Sequence, residues 1–186
     1  FSWMAPTKKW LARVAWGATG LGAAYAIWGV TVRCLLLERP PVATLYETIL
    51  FITAVVVCTG LVVELLTRRR IAISAAAILG MIGIFLAGRY EISKAVDTMP
   101  TLVAVLDTNF WLATHVTTVT MGYAAGLLAG GLAHIYLLGK LFRVRRNDQT
   151  AYRNLARMVY GVICFGLLFS VVGTILGGVW AADSWG

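Results

Sequence analysis

Charged side chains are scarce in this chain, and their scarcity decides its class. Only 13% of the 186 residues are Asp, Glu, Lys or Arg, whereas 60% are hydrophobic. A soluble domain of this length needs a far more polar surface, because its exterior faces water. The mean hydropathy of +0.81 instead predicts an all-α, polytopic membrane helix bundle.

Cysteine is also sparse. The three cysteines, Cys34, Cys58 and Cys164, are far apart in the chain and form no Cys-x-x-Cys pair. Cys58 and Cys164 lie inside apolar runs, where a thiol behaves as a small hydrophobic group. Cys34 lies near a predicted membrane boundary and has no evident partner. This pattern argues against a thiol–disulfide oxidoreductase.

Several catalytic and nucleotide-binding motifs are missing as well. The sequence contains no His-Glu-x-x-His pair, no glycine-rich phosphate loop, no Ser/His/Asp set and no nucleic-acid-binding pattern. The net charge of +8 therefore reports orientation in the lipid bilayer rather than binding to nucleic acid. Glu47 is interpreted as a first-turn cap of a helix, and Glu64 as a partner of the adjacent basic run 68–70.

Five apolar segments are long enough to cross a membrane. A hydrocarbon core about 30 Å thick takes about 20 helical residues to cross. Backbone polar groups in lipid must be satisfied within the segment, so each segment is predicted to be an α-helix. The predicted helices cover residues 11–32, 43–66, 71–88, 111–138 and 159–180, within a single transmembrane domain 1–186.

The basic residues fall mainly on one side of the predicted bundle. If the five helices alternate in direction, the N-terminus and the connections near 68–70 and 139–158 share that side. The other side has only four basic residues, Arg33, Arg39, Arg89 and Lys94. The positive-inside rule then predicts a cytoplasmic N-terminus and an external C-terminus.

A histidine and two tryptophans are predicted to lie on the external side. His115 is near the start of the fourth helix, and Trp180 and Trp185 lie at and just beyond the end of the fifth. Only a short basic connection separates these two helices, so we expect them to be antiparallel neighbours. Thr114, Thr117 and Thr118 are candidates to bond the second ring nitrogen of His115.

Small residues recur along both helices. Such stripes allow membrane helices to approach closely, so we expect them to direct the face with His115 towards the bundle. The stripes consist of Gly122, Gly126 and Gly130 in the fourth helix and Gly166, Ser170, Gly173 and Gly177 in the fifth.

These residue types together suggest a haem site. Two indole rings form an amphipathic, flat surface on which a planar ligand can stack, and a neutral imidazole can ligate iron. Other interpretations stay open: His115 as a proton relay or as an interfacial histidine bonded to a carbonyl or water, and Trp180 as an interfacial anchor. His134, nineteen residues further on, is too far away to ligate the same iron and is interpreted as structural.

Three separate stretches resemble the cytochrome c biogenesis, haem-handling family of the CcsA/ResC type. PPVATLYETILFI at 40–52 is similar to a segment with Leu-Tyr-Glu that opens a helix in that family. FWLATHVTTVTMGYAAGLLAG at 110–130 is similar to its Trp-Leu-x-x-His-Val segment. ILGGVWAADSWG at 175–186 looks like the beginning of its external tryptophan-rich WWD motif.

The resemblance implies a haem-handling subunit of a cytochrome c synthase, of the haem lyase type, acting at the outer membrane face. It implies haem b with His115 as an axial iron ligand and with Trp180 and Trp185 as its aromatic platform. The second iron ligand of the family lies outside this chain. The implied partners are apocytochrome c, a CcsB/ResB-type membrane protein, thiol-reducing proteins and the lipid bilayer, in a bacterial inner membrane or a thylakoid-like equivalent.

Two functions of other classes stay open, namely a haem or small-molecule exporter and a non-catalytic membrane scaffold. From sidedness alone, Arg33, Arg39 and Arg89 are candidates to bind haem propionates. Because the chain starts at Phe1 and ends inside the aromatic motif, we expect it to be the N-terminal part of a longer protein, without a cleavable signal peptide.

Overall fold

Five long α-helices make up the computed structural model, which describes residues 9–94, 110–144 and 148–185. Each helix is long and apolar enough to cross a membrane, and no strand occurs in these ranges. This confirms the predicted all-α membrane class. The helices are α1 (Lys9–Leu37), α2 (Leu45–Thr67), α3 (Ile71–Lys94), α4 (Phe110–Leu141) and α5 (Gln149–Trp185).

Most helix ends differ from the predicted bounds, and α5 differs most. It starts at Gln149 rather than 159, where the Asp148 carboxylate accepts a hydrogen bond of 3.0 Å from the Ala151 N–H. It also continues through Trp185, so both tryptophans belong to the helix. A hydropathy pattern misses such ends because polar residues beyond the hydrocarbon region stay helical. Three basic residues that contribute to the predicted charge bias, Lys8, Arg145 and Arg146, lie outside the described residues.

The core of the bundle is built from small side chains on α2, α3, α4 and α5. Alanine dominates it, which lets the helix backbones approach closely without a gap. Five leucine, methionine and valine side chains from α4 and α5 fill the remaining volume. The buried cluster comprises Val56, Ala72, Ala75, Ala124, Ala125, Leu128, Ala129, Leu132, Leu155, Met158 and Val162.

The connections α2–α3 and α4–α5 lie at one end of the bundle. Ile71 at the start of α3 shares a small cavity with Gly139 of α4 and Ala151 of α5. We call this the basic end, after the described residues Arg68, Arg69, Arg70, Lys140 and Arg143. The opposite end of the bundle contains the α1–α2 connection, and there the first turns of α4 meet the last turns of α5. Which end faces the cytoplasm stays a prediction of the charge distribution.

Antiparallel packing of α4 on α5 depends on residues without side chains. A Cβ atom added at Gly122 would lie 2.3 Å from Ser170 Oγ, and one at Gly173 would lie 2.7 Å from the backbone nitrogen of Val119. This confirms that the α5 stripe faces α4. The prediction for α4 is only partly right, because a Cβ at Gly126 or Gly130 would meet no described atom within 4 Å.

Glu64 joins α2 to α3 at the basic end. It is 1% exposed, and its carboxylate accepts hydrogen bonds from the backbone N–H groups of Arg70 and, at 3.4 Å, of Ile73. The N-terminus of α3 is thereby capped by a carboxylate from the preceding helix, which the helix dipole favours.

Glu47 joins α1 to α2 at the opposite end. As predicted, it caps α2: its Oε2 accepts the Thr44 N–H at 3.0 Å, and Thr44 Oγ1 accepts the Glu47 N–H at 3.3 Å. It also pairs with two arginines, since Oε1 lies 2.6 Å from Arg39 Nη2 and 3.3 Å from Arg33 Nη2. Glu47 and Arg39 are 4% and 7% exposed, so this ion cluster is buried.

Most of α1 lies at the periphery. Only 6% of its most hydrophobic stretch is buried, and large side chains such as Leu21, Tyr25 and Trp28 are exposed. In a bilayer these residues face lipid. The buried ion cluster provides a polar link between this peripheral helix and α2, through Arg33 and Glu47.

We expect Glu47→Gln to destabilise the protein by about 3–5 kcal/mol, because it leaves two arginines beside a neutral amide in a buried site. Unfolding in detergent, followed by circular dichroism, measures the effect. Glu38→Gln is the control, since Glu38 is exposed at the same end of the bundle. Equal stability of the two variants would contradict the role given to the cluster.

Candidate functional site

The imidazole of His115 lies between α4 and α5 at the opposite end of the bundle. Its Nδ1 is 2.6 Å from the carbonyl oxygen of Gly173 on α5, and its side chain is half-buried. The predicted antiparallel pairing thus brings His115 against the helix that carries Trp180 and Trp185. The nearby Thr114 is not its partner, because the Thr114 hydroxyl donates to Phe110 of its own helix at 2.8 Å.

The hydrogen bond to Gly173 fixes the tautomer of His115. A carbonyl oxygen can only accept, so in the neutral ring Nδ1 carries the proton and Nε2 keeps its lone pair. Nε2 makes no hydrogen bond to a described residue, and it is not one of the buried nitrogens that lack a partner. An imidazole with one N–H held by a carbonyl and the other nitrogen available is the usual arrangement of a metal ligand.

Gly177 provides the space for this ring. A Cβ atom at Gly177 would lie 2.7 Å from Cε1 and 2.8 Å from Nδ1 of His115. Gly173 and Gly177, four residues apart, therefore supply the hydrogen-bond acceptor and the room for the imidazole. The sequence analysis identified the stripe of small residues but not these two roles. The signal in the sequence was the four-residue spacing of Gly173 and Gly177 on the α5 face that packs against His115.

Trp180 and Trp185 follow on the same helix. Trp180 is three residues beyond Gly177, about 4.5 Å along the helix axis, so it lies close to the level of His115. The two indole centroids are 4.9 Å apart. Trp180 is half-buried, whereas Trp185 is 73% exposed.

The indole pair is not flat, in contrast to the sequence-based expectation. The two ring planes are inclined by 65°, which is an edge-to-face contact. This arrangement suits the quadrupoles of the two rings better than a parallel stack would. Only one of the two indoles can therefore lie parallel to a planar ligand in this conformation.

Two of the three arginines considered for propionates have another role. Arg33 and Arg39 bind Glu47 in the ion cluster, and the Arg33 guanidinium also lies 5.1 Å from the centre of the Tyr46 ring. Arg89 is exposed near the end of α3. The prediction from sidedness alone missed the pairing because it depends on how the α1–α2 connection folds.

His134 differs from His115 in its exposure, its position and the helix that supplies its hydrogen-bond acceptor. It is exposed, and its Nδ1 bonds the Gly130 carbonyl of its own helix at 2.8 Å. It is nineteen residues, or about 28 Å along α4, from His115. The described residues contain no group of three or more His, Cys, Asp or Glu side chains that could hold a metal together.

Residues 42–186 match the sequence model of the family described as cytochrome C assembly protein. The chain belongs to this family. The matched region contains α2 to α5, and with them His115, Gly173, Gly177 and both tryptophans. The peripheral helix α1 lies outside it.

Individual relatives point the same way. The chain is 30% identical over 161 residues to Protein NrfI of Wolinella succinogenes, which covers 85% of this chain and 17% of that protein. It is 26% identical over 156 residues to the cytochrome c biogenesis protein CcsA of Chlamydomonas reinhardtii, and the match covers 78% of this chain and 42% of that protein. It is 26% identical over 174 residues to a CcsA of Synechococcus, and the match covers 78% of this chain and 56% of that protein. No solved structure matches the chain.

We expect Gly177→Ala to displace the His115 ring and to destabilise the protein by about 1–3 kcal/mol, because the new methyl group overlaps the imidazole. Nitrogen NMR of ¹⁵N-histidine-labelled protein should show the His115 tautomer signal change, and detergent unfolding should show the loss of stability. Gly178→Ala is the matched control, since a Cβ there meets no described atom within 4 Å. Indistinguishable spectra for the two variants would contradict the packing of His115 on Gly177.

Proposed function

We propose that this chain is part of a haem-handling membrane subunit of a cytochrome c synthase. The family and the printed names of the CcsA relatives support a role in cytochrome c biogenesis. The chain spans between 17% and 56% of the length of the curated relatives described above. The activity of the whole protein is therefore part of the proposal.

The hydrogen bond between His115 Nδ1 and Gly173 O supports the proposal most directly. It orients the ring, fixes the neutral tautomer and leaves the Nε2 lone pair available as an axial ligand of haem iron. These are the properties that a resident ligand needs, and the two residues come from different helices. The Nε2 atom of His115 thus fits the requirements of an axial haem ligand, and His115 is the residue proposed to ligate the iron of haem b.

The tryptophans are proposed to hold the porphyrin rather than the iron. Trp185 exposes most of its ring at the end of α5, so one indole face is available for stacking. Trp180 packs edge-to-face with Trp185 at a centroid distance of 4.9 Å and so restrains the rotation of the Trp185 side chain. Binding of this kind orients a planar ligand without any charged partner.

Haem supplies two vinyl groups, across which two cysteine thiols of an apocytochrome c Cys-x-x-Cys-His segment add to form thioethers. Each addition consumes one S–H and one C=C bond, so it requires orientation rather than a paired acid and base. The role proposed for His115 and the tryptophans is to hold haem where that segment can reach it.

The charge distribution supports a location of this chemistry outside the cytoplasm. By the positive-inside rule the basic end faces the cytoplasm, and His115 then faces the exterior. The proposed partners are apocytochrome c, a CcsB/ResB-type membrane protein and thiol-reducing proteins. The proposed location is a bacterial inner membrane or a thylakoid-like equivalent.

We expect His115→Ala in the full-length protein to lower co-purified haem by at least about tenfold, because one axial bond to iron is lost. Cytochrome c maturation in cells should fall with it. Absorption spectroscopy of the purified protein and haem staining of the cytochrome measure both effects. His134→Ala is the control, since His134 is exposed and bonds only its own helix among the described residues.

Other outcomes of the same experiment favour the other functions. Normal haem content and normal maturation in His115→Ala would contradict the proposal. Assembly with partners but no haem absorbance in the wild-type protein would favour a scaffold. If both variants still export haem and both support normal maturation, an exporter would be favoured.

We expect Trp185→Ala to weaken haem retention by about threefold to tenfold, because one stacking face is removed. The axial ligation signature in the absorption spectrum should persist in the haem that remains. Trp28→Ala is the control, since Trp28 is an equally accessible tryptophan on α1 (63% exposed). An equal effect of the two substitutions would show that Trp185 acts only as a membrane anchor.

A further inference from the structure

A long apolar cavity of about 800 Å³ lies between α1, α2 and α5. Along α2 it extends from Phe51 to Thr67, a distance of about 24 Å at the helical rise. Its walls are mainly aliphatic and aromatic side chains. It lies away from His115 and the tryptophans, and the proposed function does not use it.

The cavity is open towards the lipid phase. Two of its lining residues on α2, Val62 and Leu66, are 53% and 80% exposed, and Ile27 on α1 is 49% exposed. These residues belong to the apolar, membrane-crossing part of their helices. A molecule from the bilayer can therefore enter the cavity sideways, without passing through water.

The end of the cavity at the basic end is polar and positively charged. It is lined there by Arg69, Asn154 and Arg157. The Asn154 Nδ2 amide is buried and has no hydrogen-bond partner among the described residues. Neither Arg69 nor Arg157 forms an ion pair with any residue that the structure describes. Arg69 and Arg157 are exposed, so the Asn154 amide is the buried donor of this group. A buried donor without an acceptor is costly, so Asn154 points to a missing acceptor beside the two arginines.

A second cavity, also of about 800 Å³, adjoins the first. Asn154 and Arg157 line both cavities, so they lie where the two meet. The second cavity is polar, and its other lining residues include Lys140, Arg143 and Arg153. No described acidic residue lines either cavity. The combined site is thus a long apolar groove that ends in an excess of positive charge.

We propose that this site binds one anionic phospholipid. An acyl chain occupies the apolar cavity, and the phosphate accepts hydrogen bonds from Arg157, Arg69 and the Asn154 amide. The second cavity receives the remainder of the headgroup among its basic side chains. Charge-assisted bonds from arginine to phosphate are strong and directional, which suits a headgroup better than a random position at the interface.

The bound lipid also fills the space beside α1. That helix contributes Ile27, Val30 and Thr31 to the cavity wall but buries little of its own surface. An acyl chain between α1 and α5 replaces the side-chain contacts that α1 lacks there. The lipid thereby stabilises the position of α1 against the family core formed by α2 to α5.

Native mass spectrometry of the full-length protein in detergent tests the headgroup. The probes are phosphatidylglycerol and phosphatidylcholine with identical acyl chains. The wild type should retain phosphatidylglycerol preferentially, and Arg69→Gln with Arg157→Gln should reduce its retention by roughly tenfold. Arg13→Gln with Arg89→Gln removes the same charge at exposed positions outside both cavities and should leave retention unchanged.

A second variant tests the apolar cavity itself. Gly161 lines it, and a Cβ there meets no described atom within 4 Å, so the Gly161→Leu side chain starts in open space and narrows the groove. It should abolish retention of both lipids. Gly178→Leu is the control, because Gly178 is equally open and lies outside the cavity.

Two results would overturn the proposal. One is equal retention of both lipids in the wild type with no change in the arginine or glycine variants. The other is that Gly161→Leu loses a haem adduct and keeps the lipid adduct, which would assign the cavity to haem. Because neither result depends on His115, the test is independent of the proposed function.

Discussion

The close contact of α4 with α5 is the constraint on which the proposed haem site depends. Gly173 and Gly177 lack side chains, so the α5 backbone approaches His115 closely enough for a 2.6 Å hydrogen bond to a main-chain carbonyl. A carbonyl that already accepts one bond within its helix keeps a second lone pair, and His115 uses it. The side-chain position, the tautomer and the free nitrogen of His115 all follow from this one approach. A larger residue at either glycine would remove all three together, because an added Cβ would overlap Val119 or the imidazole.

The sequence predicted the class of fold and the neighbours of the site, but not their contacts. Hydropathy identifies five helices because lipid leaves the backbone no other partner, and the stripe at Gly173 and Gly177 indicates which face of α5 is covered. It does not indicate that a backbone carbonyl binds His115, since a carbonyl has no sequence signature. The early start of α5 at Gln149 was missed because polar residues hide a helix from a hydropathy pattern. The pairing of Arg39 with Glu47 was missed because it depends on the path of the connection between α1 and α2.

The chain consists of a family core and an added helix, which are held together by different forces. The family match starts at residue 42, just before the Thr44 cap of α2, and leaves α1 outside. Helices α2 to α5 pack through alanine, glycine and leucine around one buried cluster. The helix α1 is instead linked through its own Arg33 and through Arg39 of the connection that follows it, both of which pair with Glu47. An ionic link of this kind fixes one end of α1. The rest of the helix packs little against the core, and the apolar cavity lies beside this part of α1.

The geometry of the candidate site also determines how much of a haem site these residues can form. One imidazole gives one axial bond, and the other histidine of the chain, His134, lies about 28 Å away along the same helix. The indoles are inclined by 65°, so together they offer one face parallel to a porphyrin rather than two. The described residues thus account for one axial ligand and one aromatic face. Since an iron with two histidine ligands needs a donor on each side of the porphyrin plane, the described residues offer one half of such a coordination in the proposed site.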